Sequence, residues 1–325
     1  MSIPKVFIDG EAGTTGLQIH QRLAHRTDLE VISIDPAKRK DVEERAKMIN
    51  AADVAILCLP DQAAMQAVVL VDNEATKVLD ASSAHRTLSD WAYGFPELMV
   101  GQREKIASSN RVANPGCYPT GFLALVRPLV EAGLLPEHFP TTVNAISGYS
   151  GGGKKMIAQY ETFREAEQEK GQVESKEPYS PYGLGFGHKH VKEMHKFSGL
   201  GHAPLFVPAV GDFEQGMVVQ VPLPLWSLDR PPTGEQLYQA IAQHFEGEPF
   251  VRVMPYGKGD LRDGNFFVAK SANGTNEVQL SVFANDQTQE ALLIARLDNL
   301  GKGASGAAVQ NLNIMLGLTE TEGLV

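Results

Sequence analysis

Through its first 115 residues the chain alternates short apolar runs with charged stretches at helical spacing. The runs are KVFID (5–9), LEVISI (29–34), VAILCL (54–59) and KVLDA (77–81). Strands without a polar side need cover on both faces, so the pattern predicts a Rossmann-type, doubly wound parallel sheet of the α/β class. IASSNRVANPGC (106–117) predicts one more strand ending at the cysteine, and YPTGFLALVRPLVEAGLL (118–135) a helix with one apolar stripe. Beyond it, TTVNAISGYS (141–150), PLFVPAV (204–210), MVVQVPLPL (217–225), FVRVMPY (250–256) and EVQLSVFAN (277–285) are longer and partly alternating. They predict a second α+β domain with a mainly antiparallel sheet. The small-residue pattern of LDNLGKGASGAAVQNLNIMLGL (297–318) predicts a helix. The expected division is therefore 1–116, with the C-terminal helix 298–325 packing back on it, and 117–297.

Size agrees with two cores, because 325 residues exceed what one hydrophobic core usually holds. Apolar residues make up 43% and charged residues 21%, an ordinary globular balance. A formal net charge of −10 without a Lys/Arg block argues against nucleic-acid or membrane-surface partners and leaves local anion pockets open. The two cysteines, Cys58 and Cys117, cannot make a disulfide framework, and their contexts do not pair them as metal ligands. No signal segment and no apolar window of membrane length is evident, so a cytoplasmic protein is expected.

GEAGTTG (10–16) follows the first strand and precedes LQIHQRLAHR in helical period. Glycines at Gly10, Gly13 and Gly16 let the backbone approach a pyrophosphate, whose charge helix N-terminal amides accept. A dinucleotide is the implied ligand. Asp35, expected at the end of the second strand, suits the ribose hydroxyls of NAD, whereas Lys38, Arg39 and Lys40 suit a 2′-phosphate or a solvated helix start.

NPGCYPTG (114–121) places a thiol at the predicted junction with a helix. The positive end of the helix dipole favours thiolate there, which a packing cysteine would not need. Joined to a dinucleotide domain, such a cysteine points to covalent catalysis with hydride transfer. A thioester is an electrophile that a nicotinamide reduces, whereas a carboxylic acid is not. Cys58, inside VAILCLP, reads as a core strand residue.

GHKHVKEMH carries His188, His190 and His195 among nine histidines. Without a cysteine cluster this favours acid/base work over zinc, so no metal is expected. His195 is expected on a helix surface; His20, His25, His85, His138, His202 and His244 read as solvated or packed. DASSAHR (80–86) ends the fourth strand at the carboxyl edge of the sheet. There Ser82 and Ser83 offer hydroxyls, and Arg86 a fork for phosphate or carboxylate. SGYSGGGKK (147–155) reads as an anion-cradling turn or a flexible hairpin.

These stretches, with RKD, CLPD, YGFPEL and VQNLN, resemble the shorter form of the N-acetyl-gamma-glutamyl-phosphate reductase family across nearly the whole chain. The resemblance implies NADPH-dependent reduction of N-acetyl-glutamyl 5-phosphate, a small-molecule acyl phosphate, to N-acetyl-glutamate 5-semialdehyde with release of phosphate. It also implies a homo-oligomer, dimer or tetramer, in a fold like that of glyceraldehyde-3-phosphate and aspartate-semialdehyde dehydrogenases. Carried over by motif, Cys117 is the nucleophile and His190 the acid/base; the residues' own chemistry, not the motif, adds Ser82, Arg86 and His188 as expected substrate contacts. Gly13, Thr14, Thr15 and Gly16 match the family's nucleotide turn, to which the glycine spacing adds Gly10, and Asn311 is similar to the asparagine that such folds aim at the nicotinamide amide. Residues 1–116 are then the expected dinucleotide-binding domain and 117–297 the catalytic, substrate and oligomerisation domain. Glu11 departs from the turn of the longer members. Two other readings remain from the residues alone: an aspartate-semialdehyde dehydrogenase-like enzyme and a non-catalytic dinucleotide-binding redox sensor.

Overall fold

The computed structural model describes residues 3–169 and 177–325. The chain divides into two compact units, Met1–Gly116 with Ala304–Val325, and Cys117–Gly303.

In the first unit β1 (Lys5–Asp9), α1 (Thr14–Leu23), β2 (Glu30–Ile32), α2 (Val42–Asn50), β3 (Val54–Leu57), α3 (Asp61–Val69) and β4 (Lys77–Asp80) alternate as expected. They are followed by β5 (Ala92–Tyr93), α4 (Gln102–Ser108) and β6 (Arg111–Ala113). All pairings are parallel and the strand order is β2-β1-β3-β4-β6-β5. The order reverses at β1, so the carboxyl ends of β1 and β3 open on the crevice where such sheets take ligands. One core gathers Val6, Ile8, Val54 and Ile56 with Ala308, Val309 and Leu312. The opposite face packs Phe7, Ala55 and Leu57 against Ile49 and Ala64. The continuous apolar runs of these strands follow from cover on both faces.

In the second unit the chain forms α5 (Cys117–Glu131), β7 (Thr142–Gly148), α6 (Gly153–Glu169), β8 (Tyr179–Pro181), α7 (His190–Ser198), β9 (Leu205–Gly211) and β10 (Met217–Pro224). There follow α8 (Gly234–His244), β11 (Val251–Val253), β12 (Leu261–Arg262), β13 (Phe266–Phe267), β14 (Val278–Asn285) and β15 (Glu290–Leu297). Seven strands make one sheet in the order β11-β14-β15-β10-β7-β9-β8. It is mixed: β11–β14 and β7–β9 are parallel and the other pairings antiparallel. The sheet side of α5 explains Gly121, where a Cβ would stand 2.8 Å from Val219 Cγ2. After β15 a π-turn (Gly301–Ser305) leads into α9 (Gly306–Leu316), which returns to the first unit.

Five expectations are corrected. Ile106–Ser108 belongs to α4, so the strand before the cysteine is only Arg111–Ala113. Helix α5 has no single stripe: Tyr118 to Val126 are all buried, because helices as well as the sheet pack around it. The C-terminal helix is Gly306–Leu316, and residues 298–303 stay with the second unit. Cys58 lies one residue past β3 rather than within it. SGYSGGGKK is no hairpin: Tyr149–Gly152 form a 3-10 turn that opens α6, with Lys154 and Lys155 exposed.

Candidate active site

Cys117 is the first residue of α5. Asn114, Pro115 and Gly116 separate it from β6, and Pro119 sits in the first turn, where a missing N–H costs nothing. Gly303 has a tight approach to the cysteine: a Cβ there would lie 2.8 Å from Cys117 Cβ. Beside the thiol, Tyr118 is buried and its hydroxyl donates to the Ala209 carbonyl at 3.1 Å. Burial holds the Tyr118 phenol far above its ordinary range and pushes Tyr182 up to about 12. Both phenols therefore stay protonated donors.

The two histidines of GHKH converge on Tyr118. Ring centroids lie 6.1 Å from it for His188 and 5.8 Å for His190, and 4.7 Å from each other. His190 opens α7, and Lys189 before it already has helical angles, φ −56° and ψ −29°. The rings still meet because His188 precedes the helix and folds back. Its Nδ1 accepts the backbone N–H of His190 at 3.2 Å, and its Nε2 lies 3.3 Å from the Tyr182 hydroxyl. Burial, and then the Lys189 charge, lower its proton affinity. Accepting a backbone N–H at Nδ1 assigns the neutral tautomer with hydrogen on Nε2. Apolar side chains of Val191, Pro204 and Phe206 line a cavity of about 300 Å³ at His188. His190 is 8% exposed, whereas His195 is exposed on α7.

In the first unit, Gly10 has φ +91°, and a Cβ there would strike the Cys58 carbonyl. Gly13 is the N-cap of α1 and offers no side-chain cap, leaving the Thr14 and Thr15 end of the helix to backbone amides. A Cβ on Gly16 would run into the Gly10 carbonyl and approach Glu11 Cα at 2.8 Å. Such a clash costs about 1–3 kcal/mol when the backbone must yield. Gly16→Ala is expected to weaken nicotinamide dinucleotide binding about tenfold, and Thr15→Ala less than threefold, by fluorescence titration. Equal affinities would remove this turn from the nucleotide site.

Asn311 lies fully buried on α9. Its amide donates to the Gly94 carbonyl at 2.8 Å and to Asn114 Oδ1 at 3.1 Å, while its own Oδ1 has no partner. That orphan acceptor, together with the uncapped α1, fits a nicotinamide dinucleotide. Asp35 is not where expected: β2 stops at Ile32, and the exposed Asp35 accepts from the Ala37 N–H in a turn. Lys38 is engaged by Glu44 at 3.0 Å, and Arg39 and Lys40 are exposed. Glu11 Oε2 stands 3.4 Å from Ser33 Oγ.

The DASSAHR loop is more buried than a surface grip. Arg86 is 7% exposed and donates from Nη2 to the Ala81 carbonyl at 3.1 Å. Ser82 Oγ donates to Asp80 Oδ2 at 2.7 Å, and Ser83 is held by Asp61. Cys58 is inert: burial, then the Asp80 and Asp9 carboxylates, push its thiol up to about 12. Among the described residues no group of three or more His, Cys, Asp or Glu is placed to hold a metal ion.

Sequence reasoning missed Tyr118 and Tyr182, whose neighbours come from distant segments. Asn114 was also missed; its amide donates to the Ala304 carbonyl at 3.0 Å. His85, expected to be solvated or packed, stands five residues from Asp80, and an Asp–His pair around a turn is the signal the sequence offers.

Residues 5–109 match the semialdehyde dehydrogenase NAD-binding domain, and residues 117–299 the semialdehyde dehydrogenase dimerisation domain. A curated relative, N-acetyl-gamma-glutamyl-phosphate reductase 2 of Nostoc sp., is 65% identical over 100% of both chains. The N-acetyl-gamma-glutamyl-phosphate reductase of Mesorhizobium japonicum is 53% identical over 97% of this chain and 99% of its own. Among solved structures, aspartate semialdehyde dehydrogenase II of Vibrio cholerae, complexed with ASA, covers 98% of this chain and 99% of its own with a TM-score of 0.71. Its 15% identity shows a shared fold. Aspartate semialdehyde dehydrogenase of Candida albicans, solved with NADP, gives a TM-score of 0.63 at 12% identity, over 97% of this chain and 99% of its own. With full-length relatives at this identity, the chain belongs to the N-acetyl-gamma-glutamyl-phosphate reductase family of semialdehyde-dehydrogenase-type oxidoreductases.

Proposed function

We propose that this chain reduces N-acetyl-glutamyl 5-phosphate to N-acetyl-L-glutamate 5-semialdehyde, with NADPH as reductant and phosphate as leaving group. The observation that carries the reading is the convergence of His188 and His190 on Tyr118, directly beside a cysteine that opens a helix. Cys117 sulfur attacks the acyl carbon, the carbon–oxygen bond to phosphate breaks, and phosphate leaves with the electron pair, giving a thioester. A nicotinamide dinucleotide, when bound, would supply the hydride that this carbonyl carbon accepts. His190 donates a proton to the carbonyl oxygen as it gains charge, and takes it back as the carbon–sulfur bond breaks and the aldehyde leaves. Ser82 and Arg86 hold the phosphoryl group, and His188 orients the substrate from the edge of its cavity. Gly10, Gly13, Thr14, Thr15 and Gly16 would hold the pyrophosphate, and Asn311 Oδ1 would accept from the carboxamide.

Exposed Arg39 and Lys40 support NADP over NAD. Half-exposed Asn144, Ile146, Gln220 and Leu292 share the sheet face opposite α5 and support a homo-oligomer, dimer or tetramer. A monomer mass by light scattering would overturn that assembly. No helix among the described residues is long and apolar enough to cross a membrane. We place the protein in the cytoplasm, where Cys58 and Cys117, neither in a disulfide, would stay reduced.

The test is phosphate-dependent reduction of NADP and of NAD by N-acetyl-glutamate 5-semialdehyde, with aspartate semialdehyde as comparison. Turnover with the N-acetylated aldehyde and at least tenfold higher kcat/KM for NADP are expected. Preference for aspartate semialdehyde overturns the substrate assignment, and absence of any acyl-enzyme burst would leave only a dinucleotide-binding protein.

A further inference from the structure

The first unit holds a buried Asp–His pair outside the residues assigned above. Asp80 closes β4 and is fully buried. Its Oδ1 accepts the Ser82 backbone N–H at 2.9 Å, while Oδ2 accepts Ser82 Oγ at 2.7 Å and His85 Nδ1 at 2.6 Å. The His85 ring in turn stacks on Trp91, with centroids 4.1 Å apart and planes 16° from parallel. Ser82 Oγ also accepts the Ala84 N–H at 3.1 Å, and the Arg86 guanidinium donates across the loop to the Ala81 carbonyl. Residues 80–86 thus fold around one carboxylate. The two side chains read as phosphoryl contacts, Ser82 and Arg86, flank the histidine that the carboxylate grips.

A loop that needed only to be tight would not require a buried imidazole clamped at both its edge and its face. A carboxylate on Nδ1 fixes the ring's tautomer and orientation, the device by which partners of binding residues are held to a fraction of an ångström. We propose that Asp80 and His85, backed by Trp91, form a positioning pair that sets the Ser82 hydroxyl and the Arg86 guanidinium for the phosphoryl group. The proposal rests on Arg86 as the phosphoryl contact. His85 touches neither substrate nor cofactor; it acts through the loop.

The experiment measures the phosphate KM of the semialdehyde-oxidising direction in the full-length protein. His85→Phe keeps a ring for Trp91 but loses the donor to Asp80, and His85→Gln carries its donor one bond farther out. His85→Asn returns an N–H near the position of Nδ1. Phosphate KM is expected to rise about tenfold or more in His85→Phe and His85→Gln, with kcat and NADP KM within threefold of the parent, and to return to within threefold in His85→Asn. A merely structural role would lower melting temperature and active fraction without moving phosphate KM. The proposal is overturned if every folded variant of the first two keeps phosphate KM within twofold, or if none folds while His85→Asn differs from the parent only in stability. Arg86→Leu is run alongside: an unchanged phosphate KM there removes Arg86 from the phosphoryl site, whereas a raised KM there with normal His85 variants removes only the positioning pair.

Discussion

Replacing Cys117 by serine is expected to abolish turnover while leaving dinucleotide affinity nearly intact. A serine hydroxyl at that helix start keeps its proton at neutral pH and is a poor nucleophile, so no covalent acyl intermediate forms. The glycine turn and Asn311 belong to the other unit and are untouched by the change. Steady-state rates, with NADPH titration on the same sample, check both halves. Activity above a few per cent of the parent would refute the thioester route. Cys58→Ala is the matched control: its thiol is held protonated by burial, so activity persists and only stability falls.

The second large effect separates the two histidines. His190→Asn should slow the chemical step about 10²-fold or more, the usual size of an acid/base contribution, while His188→Asn chiefly weakens substrate binding. The hydrogen bonds support this split, because His188 Nδ1 is committed to the His190 backbone and its Nε2 faces Tyr182. Single-turnover phosphate release and product formation on each mutant decide it, and a larger chemical loss in His188→Asn would reverse the roles. His188 also leaves a mark on stability. Its folded proton affinity is lowered, so at acid pH the unfolded chain binds the extra proton and the folded state resists it. Stability contributed by neutral His188 is present above the ordinary histidine value of about 6.5. It is lost as pH falls below that toward the lowered folded value. His188→Asn should flatten the fall in melting temperature between neutral and mildly acid pH.

Particular residues show where sequence reading succeeds and where it stops. Gly10, Gly13 and Gly16 were legible because a turn of this kind is a local backbone requirement, and the structure finds Gly10 at φ +91°. The strands around them were legible because cover on both faces leaves no polar positions to alternate. Boundaries were not: β2 ends before Asp35, and Ile106–Ser108 coils into α4, since propensity over three residues is weaker than packing. The strand Glu290–Leu297 went unread although its central place in the sheet buries most of it.

The sequence by itself determined the chemistry available: one cysteine at a helix start, a glycine turn after a strand, a His-x-His pair, and motifs that point to one enzyme family. Those are properties of neighbouring residues, written within a few positions of each other. Only the tertiary structure decided which atoms are committed. It turned His188 Nδ1 toward a backbone N–H, left Asn311 Oδ1 unpaired, wrapped Asp80 in three donors and buried His85 against Trp91. Tyr118 and Tyr182 lie 64 residues apart and meet at the histidines. Such commitments depend on long-range packing and on what burial does to proton affinity, and neither has a local signature in the chain.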